Sequence, residues 1–187
     1  LLLTTYAVYN AKQYEKAAKY GEQTYNAKPD SDLAMIIARS FLNMDKVESM
    51  VPWTDKACVE GDVASCSSMF KYIAAFYSTN KNWDKSADYA RKVISALEGK
   101  AKPAQLTQGE INEMLSDAYS FVGRSAAEKK QWGAVKANYD ASVKYAAPQN
   151  NARRVEAIFW TGMSLWNQEQ IEAAMEYRVG GFTYASF

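Results

Sequence analysis

A degenerate repeat constrains this chain more than any other feature. Five bulky residues, Tyr14, Val47, Trp83, Trp132 and Ile171, each follow a polar turn, at spacings of 33, 36, 49 and 39 residues. Nine positions before them stand Thr5, Ala38, Ala74, Gly123 and Gly162, all small. Ten before stand Thr4, Ile37, Ile73, Val122 and Thr161, all β-branched. Six before stand Val8, Phe41, Tyr77, Ala126 and Leu165; three after stand Ala17, Met50, Ser86, Val135 and Ala174. Offsets of three, four and seven fall on one stripe of an α-helix, so each unit reads as two amphipathic helices. A small residue in the first helix lets its partner's backbone come close, and the large residues fill the grooves beside it. Turns as short as Asn10-Ala11-Lys12-Gln13 and Glu128-Lys129-Lys130-Gln131 dictate antiparallel hairpins. Period-two alternation is nowhere sustained, which argues against strands.

These residues resemble the tetratricopeptide repeat family. The first unit carries Tyr14, Ala17 and Pro29 in register, the third Phe70, Ile73, Ala74, Tyr77 and Trp83, and the fifth Ile158, Gly162, Leu165 and Ala174. The second unit departs from the pattern, because Pro52 falls inside its expected second helix and is expected to shorten or kink it. An insertion over 99–109, with Pro103, accounts for the 49-residue gap before the fourth anchor. The resemblance implies an all-α fold: a right-handed superhelical solenoid of antiparallel helix pairs with a concave inner face. It implies a single domain over residues 1–187, in units 1–30, 31–61, 62–98, 110–148 and 152–180. Neither end carries a polar cap, since Leu1 to Leu3 are apolar and the fifth unit breaks at Gly180-Gly181. The chain therefore reads as part of a longer polypeptide, and alone it is expected to self-associate or to be marginally stable.

Composition removes whole classes of function. At 48% hydrophobic and 23% charged residues the chain is that of a folded soluble protein. Twenty-two Lys and Arg against 21 Asp and Glu leave a net charge of +1, and no basic stripe accompanies the aromatics, so nucleic acid is not an expected partner. The longest strongly apolar stretches, Ala34 to Ala38 and Ile73 to Tyr77, are too short to insert across a membrane. There is no histidine, which removes Ser-His-Asp and Cys-His catalysis and His-ligated metals. Two cysteines cannot close a four-thiolate site, and no Gly-rich phosphate loop is present. Carboxylate pairs such as Glu110/Glu113 and the trio Glu169, Glu172 and Glu176 read as solvated helix faces. No catalytic residue, metal site or cofactor is expected.

In the family that the repeats resemble, ligands lie along the concave face, lined by the first helix of each unit. In register this gives Tyr6, Tyr9 and Asn10, then Met35, Arg39 and Asn43, then Lys71, Arg124, Phe159, Met163 and Trp166. Aromatic and Met anchors with Asn side chains suit a peptide segment of a partner. The family's carboxylate clamp is not expected, because Ala75 stands where Lys71 would need a companion Asn. Arg39, Lys71 and Arg124 read as solvated charge before they read as contacts for an acidic partner. Trp83 and Trp132 occupy the anchor position and belong to the core, which leaves Trp166 as the groove tryptophan.

Cys58 and Cys66 flank the turn Gly61-Asp62. A bridge needs their Cα atoms within about 7 Å; two buried free thiols are the equal alternative. A bridge would indicate a periplasmic or other extracytoplasmic compartment, and free thiols a cytoplasmic one. The expected function is a non-catalytic scaffold that binds a protein or peptide in its groove. A self-assembling subunit stacking through uncapped ends, and the docking region of a larger enzyme, are its rivals.

Overall fold

The computed structural model describes residues 1–179 and 182–183. The expected break at Gly180-Gly181 lies outside the described residues. Ten helices occur among the described residues: α1 Leu2–Asn10, α2 Tyr14–Ala27, α3 Ser31–Asn43, α4 Val47–Ala57, α5 Val63–Thr79, α6 Trp83–Leu97, α7 Gln108–Glu128, α8 Trp132–Tyr145, α9 Asn151–Asn167 and α10 Ile171–Glu176. Two short strands follow, β1 Arg178–Val179 and β2 Phe182–Thr183, paired antiparallel. Apart from that hairpin, all the regular structure among the described residues is helical, as the spacing predicts.

All five anchors open a helix: Tyr14, Val47, Trp83, Trp132 and Ile171 are the first residues of α2, α4, α6, α8 and α10. The turn before each is the same turn. Two residues ahead of the anchors, Lys12, Asp45, Lys81, Lys130 and Glu169 take φ values of 56 to 61°. The next amide donates back to the carbonyl of Val8, Phe41, Tyr77, Ala126 or Leu165, at 2.8 to 3.0 Å. This is the Schellman cap, in which one left-handed residue lets two amides satisfy the last carbonyls of a helix. Glycine usually holds that position; here no unit uses it. A side chain in the left-handed region costs about 1 kcal/mol, partly offset by the unfolded-state entropy that glycine would add. Lys130→Gly, at an exposed turn, is accordingly expected to stabilise the chain by about 0.5 kcal/mol and to raise the melting temperature by about 1–2 °C. A Tm at or below that of the parent would overturn this.

The contacts divide the chain into two compact units, residues 1–69 and 70–187, with the boundary inside α5. In the first, α1 packs on α2, α2 on α3 and α3 on α4. Its core is Leu33, Ala34, Ile37, Ala38, Val47 and Met50, all at most 3% exposed. Gly21 of α2 lies under Ile37, where a Cβ would stand 2.6 Å from Ile37 Cγ1. The α4–α5 turn is closed by a Cys58–Cys66 disulfide with Cα atoms 5.6 Å apart, which selects the bridge over free thiols. Helix α4 runs through Pro52. It has 11 residues, against 14, 15 and 14 in α2, α6 and α8 and 6 in α10, and it continues past the proline to Ala57, so Pro52 does not end it.

In the second unit α6 packs on α7, α7 on α8, α8 on α9 and α9 on α10. Ile73, Tyr77, Val93, Leu115, Val135, Tyr139 and Ile158 are buried. Buried hydroxyls tie helix to helix: Ser86 Oγ donates to the Ala74 carbonyl at 2.9 Å, and Ser142 Oγ to the Ser116 carbonyl at 2.7 Å. Helix α7 begins at Gln108, so the last two residues of the expected insertion belong to it. The cause is a capping box: Thr107 Oγ1 accepts from the Glu110 amide, and Glu110 accepts from the Thr107 amide.

Candidate functional site

The stripe expected to face a ligand takes three residues from each of α1, α3 and α9 and one each, Lys71 and Arg124, from α5 and α7. In the first unit Tyr6 and Tyr9 are half-buried and Asn10 is exposed. Tyr9 meets Tyr14 edge to face at 5.8 Å. Burial raises the Tyr6 phenol pKa, with help from Asp30 and Asp32. Met35 is only 9% exposed and packs in the core, so it offers little to a ligand. Asn43 is exposed, but its amide donates to the Arg39 carbonyl at 2.7 Å.

Arg39 does not stand free in solvent. Its guanidinium donates to Ser65 Oγ at 3.0 Å. Beside it Asp62 opens α5 by accepting from the Ser65 amide at 2.8 Å and from the Ala64 amide at 3.3 Å. The hydrogen bonds from Ser65 hold the Asp62 carboxyl below its ordinary range against the opposing effect of burial, and Arg39 adds to that.

In the second unit the charged residues form a chain across the odd-numbered helices. Lys71 Nζ of α5 lies 3.0 Å from Glu113 and 2.9 Å from Asp117, both on α7. Asp117 in turn receives Arg153 of α9 at 2.5 Å, and Arg153 reaches Glu156 at 2.5 Å. Glu156 also accepts from Ser120 at 3.0 Å and from the buried Tyr139 hydroxyl at 3.2 Å. Burial opposes the charge on Lys71, but the hydrogen bonds to Asp117 and Glu113 outweigh it and its pKa is raised. Burial, then Glu156, pushes the Tyr139 phenol far up.

Arg124, on the same α7 face, pairs with Glu128 at 2.6 Å. Its guanidinium sits 4.2 Å from the Trp160 ring centroid and 5.1 Å from that of Trp83. The reading of Arg39, Lys71 and Arg124 as solvated charge is therefore corrected: each is held by its own chain. Lys71 meets two carboxylates on a facing helix, Arg124 one a turn along its own helix, and Arg39 a serine hydroxyl beside Asp62; holding a half-buried cation in this way costs less than leaving it alone.

Besides the exposed Asn10 and Asn43, what remains open on the stripe is apolar. Phe159 and Trp166 of α9 are 40% and 49% exposed, and Met163, half-buried, lies between them on the same stripe. Phe159 meets Trp160 edge to face at 5.0 Å. Trp83 and Trp132 are half-buried, Trp132 against the cluster around Tyr139.

Three features were not drawn from the sequence. Arg153 and Glu156 stand one turn apart opposite Asp117 and Ser120, a charge pattern that only pairing of α7 with α9 makes visible. Glu113, taken as part of a solvated face, is exposed yet holds Lys71. Glu98, just after α6, accepts from Tyr119 at 2.6 Å and Tyr145 at 2.8 Å, whose rings stack at 6.1 Å. The Tyr119 hydrogen bond chiefly holds the Glu98 carboxyl below its ordinary range, against burial, with Tyr145 and Lys144 adding to it.

Among the described residues no group of three or more His, Cys, Asp or Glu side chains is placed to hold a metal ion, and no helix is long and apolar enough to cross a membrane. No protein-family model matches this chain, and no curated protein or solved structure does either.

Proposed function

We propose that the chain is a non-catalytic protein-interaction module of tetratricopeptide-like units wound as a right-handed solenoid, which holds a peptide segment of a partner protein. The observation that carries this reading is the Phe159–Met163–Trp166 stripe. Two large apolar side chains are left 40% and 49% exposed on one helix face, while Lys71 and Arg124, the cations of the expected stripe on α5 and α7, are already paired within the chain. A half-exposed tryptophan two turns from a phenylalanine on the same face is the kind of anchor on which a peptide gains most of its affinity, and a helix face spaced at four and three residues suits an extended or helical segment.

Selection of a displayed peptide library on the purified chain, followed by anisotropy titration of the enriched peptides, tests it. Trp166→Ala is expected to weaken them at least tenfold, about 1.4 kcal/mol or more. Failure to enrich any peptide, or affinities untouched by both Trp166→Ala and Phe159→Ala, would refute the reading.

A second reading, a subunit that stacks with copies of itself, is favoured by Leu1, Leu2 and Leu3, which are 67%, 46% and 85% exposed. Under it, sedimentation equilibrium finds a concentration-dependent oligomer that Trp166→Ala leaves intact. The Cys58–Cys66 bridge supports an oxidising compartment, where such bonds persist. Two titratable thiols in the chain isolated from its own cells would contradict that.

A further inference from the structure

Helix α9 carries an apolar stripe longer than its two exposed aromatics. Ala152, Val155, Phe159, Met163 and Trp166 follow one another at spacings of three, four, four and three residues, so all five share one face over four turns. At 1.5 Å per residue the stripe is about 21 Å long. Ala152, Phe159 and Trp166 are exposed; Val155 and Met163 are half-buried.

The polar side chains beside the stripe are committed within the chain. The Asn167 amide donates to the Met163 carbonyl at 2.7 Å, and Ser120 Oγ donates to Glu156 at 3.0 Å. An extended segment laid here brings bare amides and carbonyls that need partners, whereas a helix satisfies its own. Charge points the same way. Arg153 and Glu156 border the stripe on α9 and bond each other at 2.5 Å, and Arg153 also meets Asp117 at 2.5 Å. On α7, Arg124 is paired with Glu128 at 2.6 Å. A charged side chain laid on the stripe would lose water and gain no partner, which is costly. An uncharged face is the complement of this one.

We propose that the segment this chain holds is an amphipathic helix, lying along α9 with an uncharged apolar face against Ala152 to Trp166. The proposal rests on the peptide-binding reading and adds to it the conformation and polarity of the ligand. The partner's apolar residues recur every three to four positions over about four turns, so that the ridges of one helix seat in the grooves of the other. Its charged residues stay on the face turned to water. Affinity then comes from buried apolar area, and salt finds little to screen.

The probes are peptides enriched on the purified full chain from a displayed library of random peptides about 16 residues long, enough for four helical turns. Each is isotope-labelled, bound to the chain and read by its Cα chemical shifts. Shifts downfield of the random-coil values over most of the bound segment, the mark of a helix, are expected. Affinity is expected to change by less than about threefold between about 0.05 and 0.5 M NaCl. Phe159→Lys, a lone charge at an exposed position of the stripe, is expected to weaken binding by about tenfold or more. Peptides that bind through Trp166 with the upfield Cα shifts of an extended chain overturn the helix and leave the peptide reading standing. A loss of about tenfold or more in the higher salt overturns the uncharged face. If no peptide is enriched, the peptide reading falls and the proposal falls with it.

Discussion

Tyr139→Ala is expected to destabilise the chain by about 3–5 kcal/mol, the range for emptying a buried aromatic site. Tyr139 is fully buried among Ala126, Ala127, Val135 and Ala157, with Trp132, Val143 and Trp160 around the cluster. Its ring covers Gly123 so closely that a Cβ there would stand 2.9 Å from Cε2. Ala126, Ala127 and Ala157 beside it are too short to collapse into the space, which places the cost toward the upper end. A melting temperature lower by about 10 °C or more follows for a chain of this length. Thermal denaturation monitored by circular dichroism reads it, and a loss under about 2 °C would mean that the ring is not the keystone of this unit.

Tyr139→Phe separates the ring from its hydroxyl. Glu156 keeps Ser120 and Arg153 in that variant, so the cost is about 1 kcal/mol. The two variants also differ at high pH. Because the folded phenol is raised above its ordinary value of about 10, its contribution is whole below pH 10 and is lost as the pH climbs toward the folded value. The parent is therefore expected to lose stability above pH 10 more steeply than Tyr139→Phe. Parallel curves for the two would count against the raised phenol.

Arg153→Ala carries the second large expected effect, about 2–3 kcal/mol. The Arg153 side chain is only 14% exposed and joins Asp117, itself 22% exposed, to Glu156. Removing one member of a desolvated pair strands its partner's charge, which costs about 3–5 kcal/mol when the partner has nothing else. Here Lys71 still holds Asp117, and Ser120 and Tyr139 still hold Glu156, which lowers the figure. A double-mutant cycle with Asp117→Asn isolates the link between α7 and α9; a coupling of about 1–2 kcal/mol is expected. Additive effects of the two substitutions would show that the pair is not a link at all.

The helices and their starts were legible because the repeat spacing marks them directly. A small residue nine positions before a bulky one survives any drift in sequence between them, and each of the five anchors marks a real helix start. The left-handed turn residue was not legible, because Lys, Asp and Glu announce nothing where Gly would have. The candidate site was only half legible. Phe159 and Trp166 are exposed where the stripe puts them, whereas Met35 on the same stripe is buried. Periodicity gives the face of a helix but not how closely the next helix covers it. Arg39, Lys71 and Arg124 show the same gap, since their partners lie 26 and 42 to 46 residues away or one turn along the same helix. The disulfide stood as one of two readings until the α4–α5 turn fixed the distance between its cysteines.

Within each unit a helix meets chiefly the helix before and after it in the chain. Such contacts close short loops and forfeit little chain entropy before they are rewarded. A topology of this kind belongs with the fast folders, on the order of microseconds to milliseconds for small helical domains. Nucleation has no privileged place in it; any hairpin with its turn formed can start, and its neighbours then add in sequence. The bridge at the α4–α5 turn joins residues eight apart that this turn already brings to 5.6 Å. A tie across so short a loop removes little freedom from the unfolded chain, so oxidation can follow folding rather than direct it.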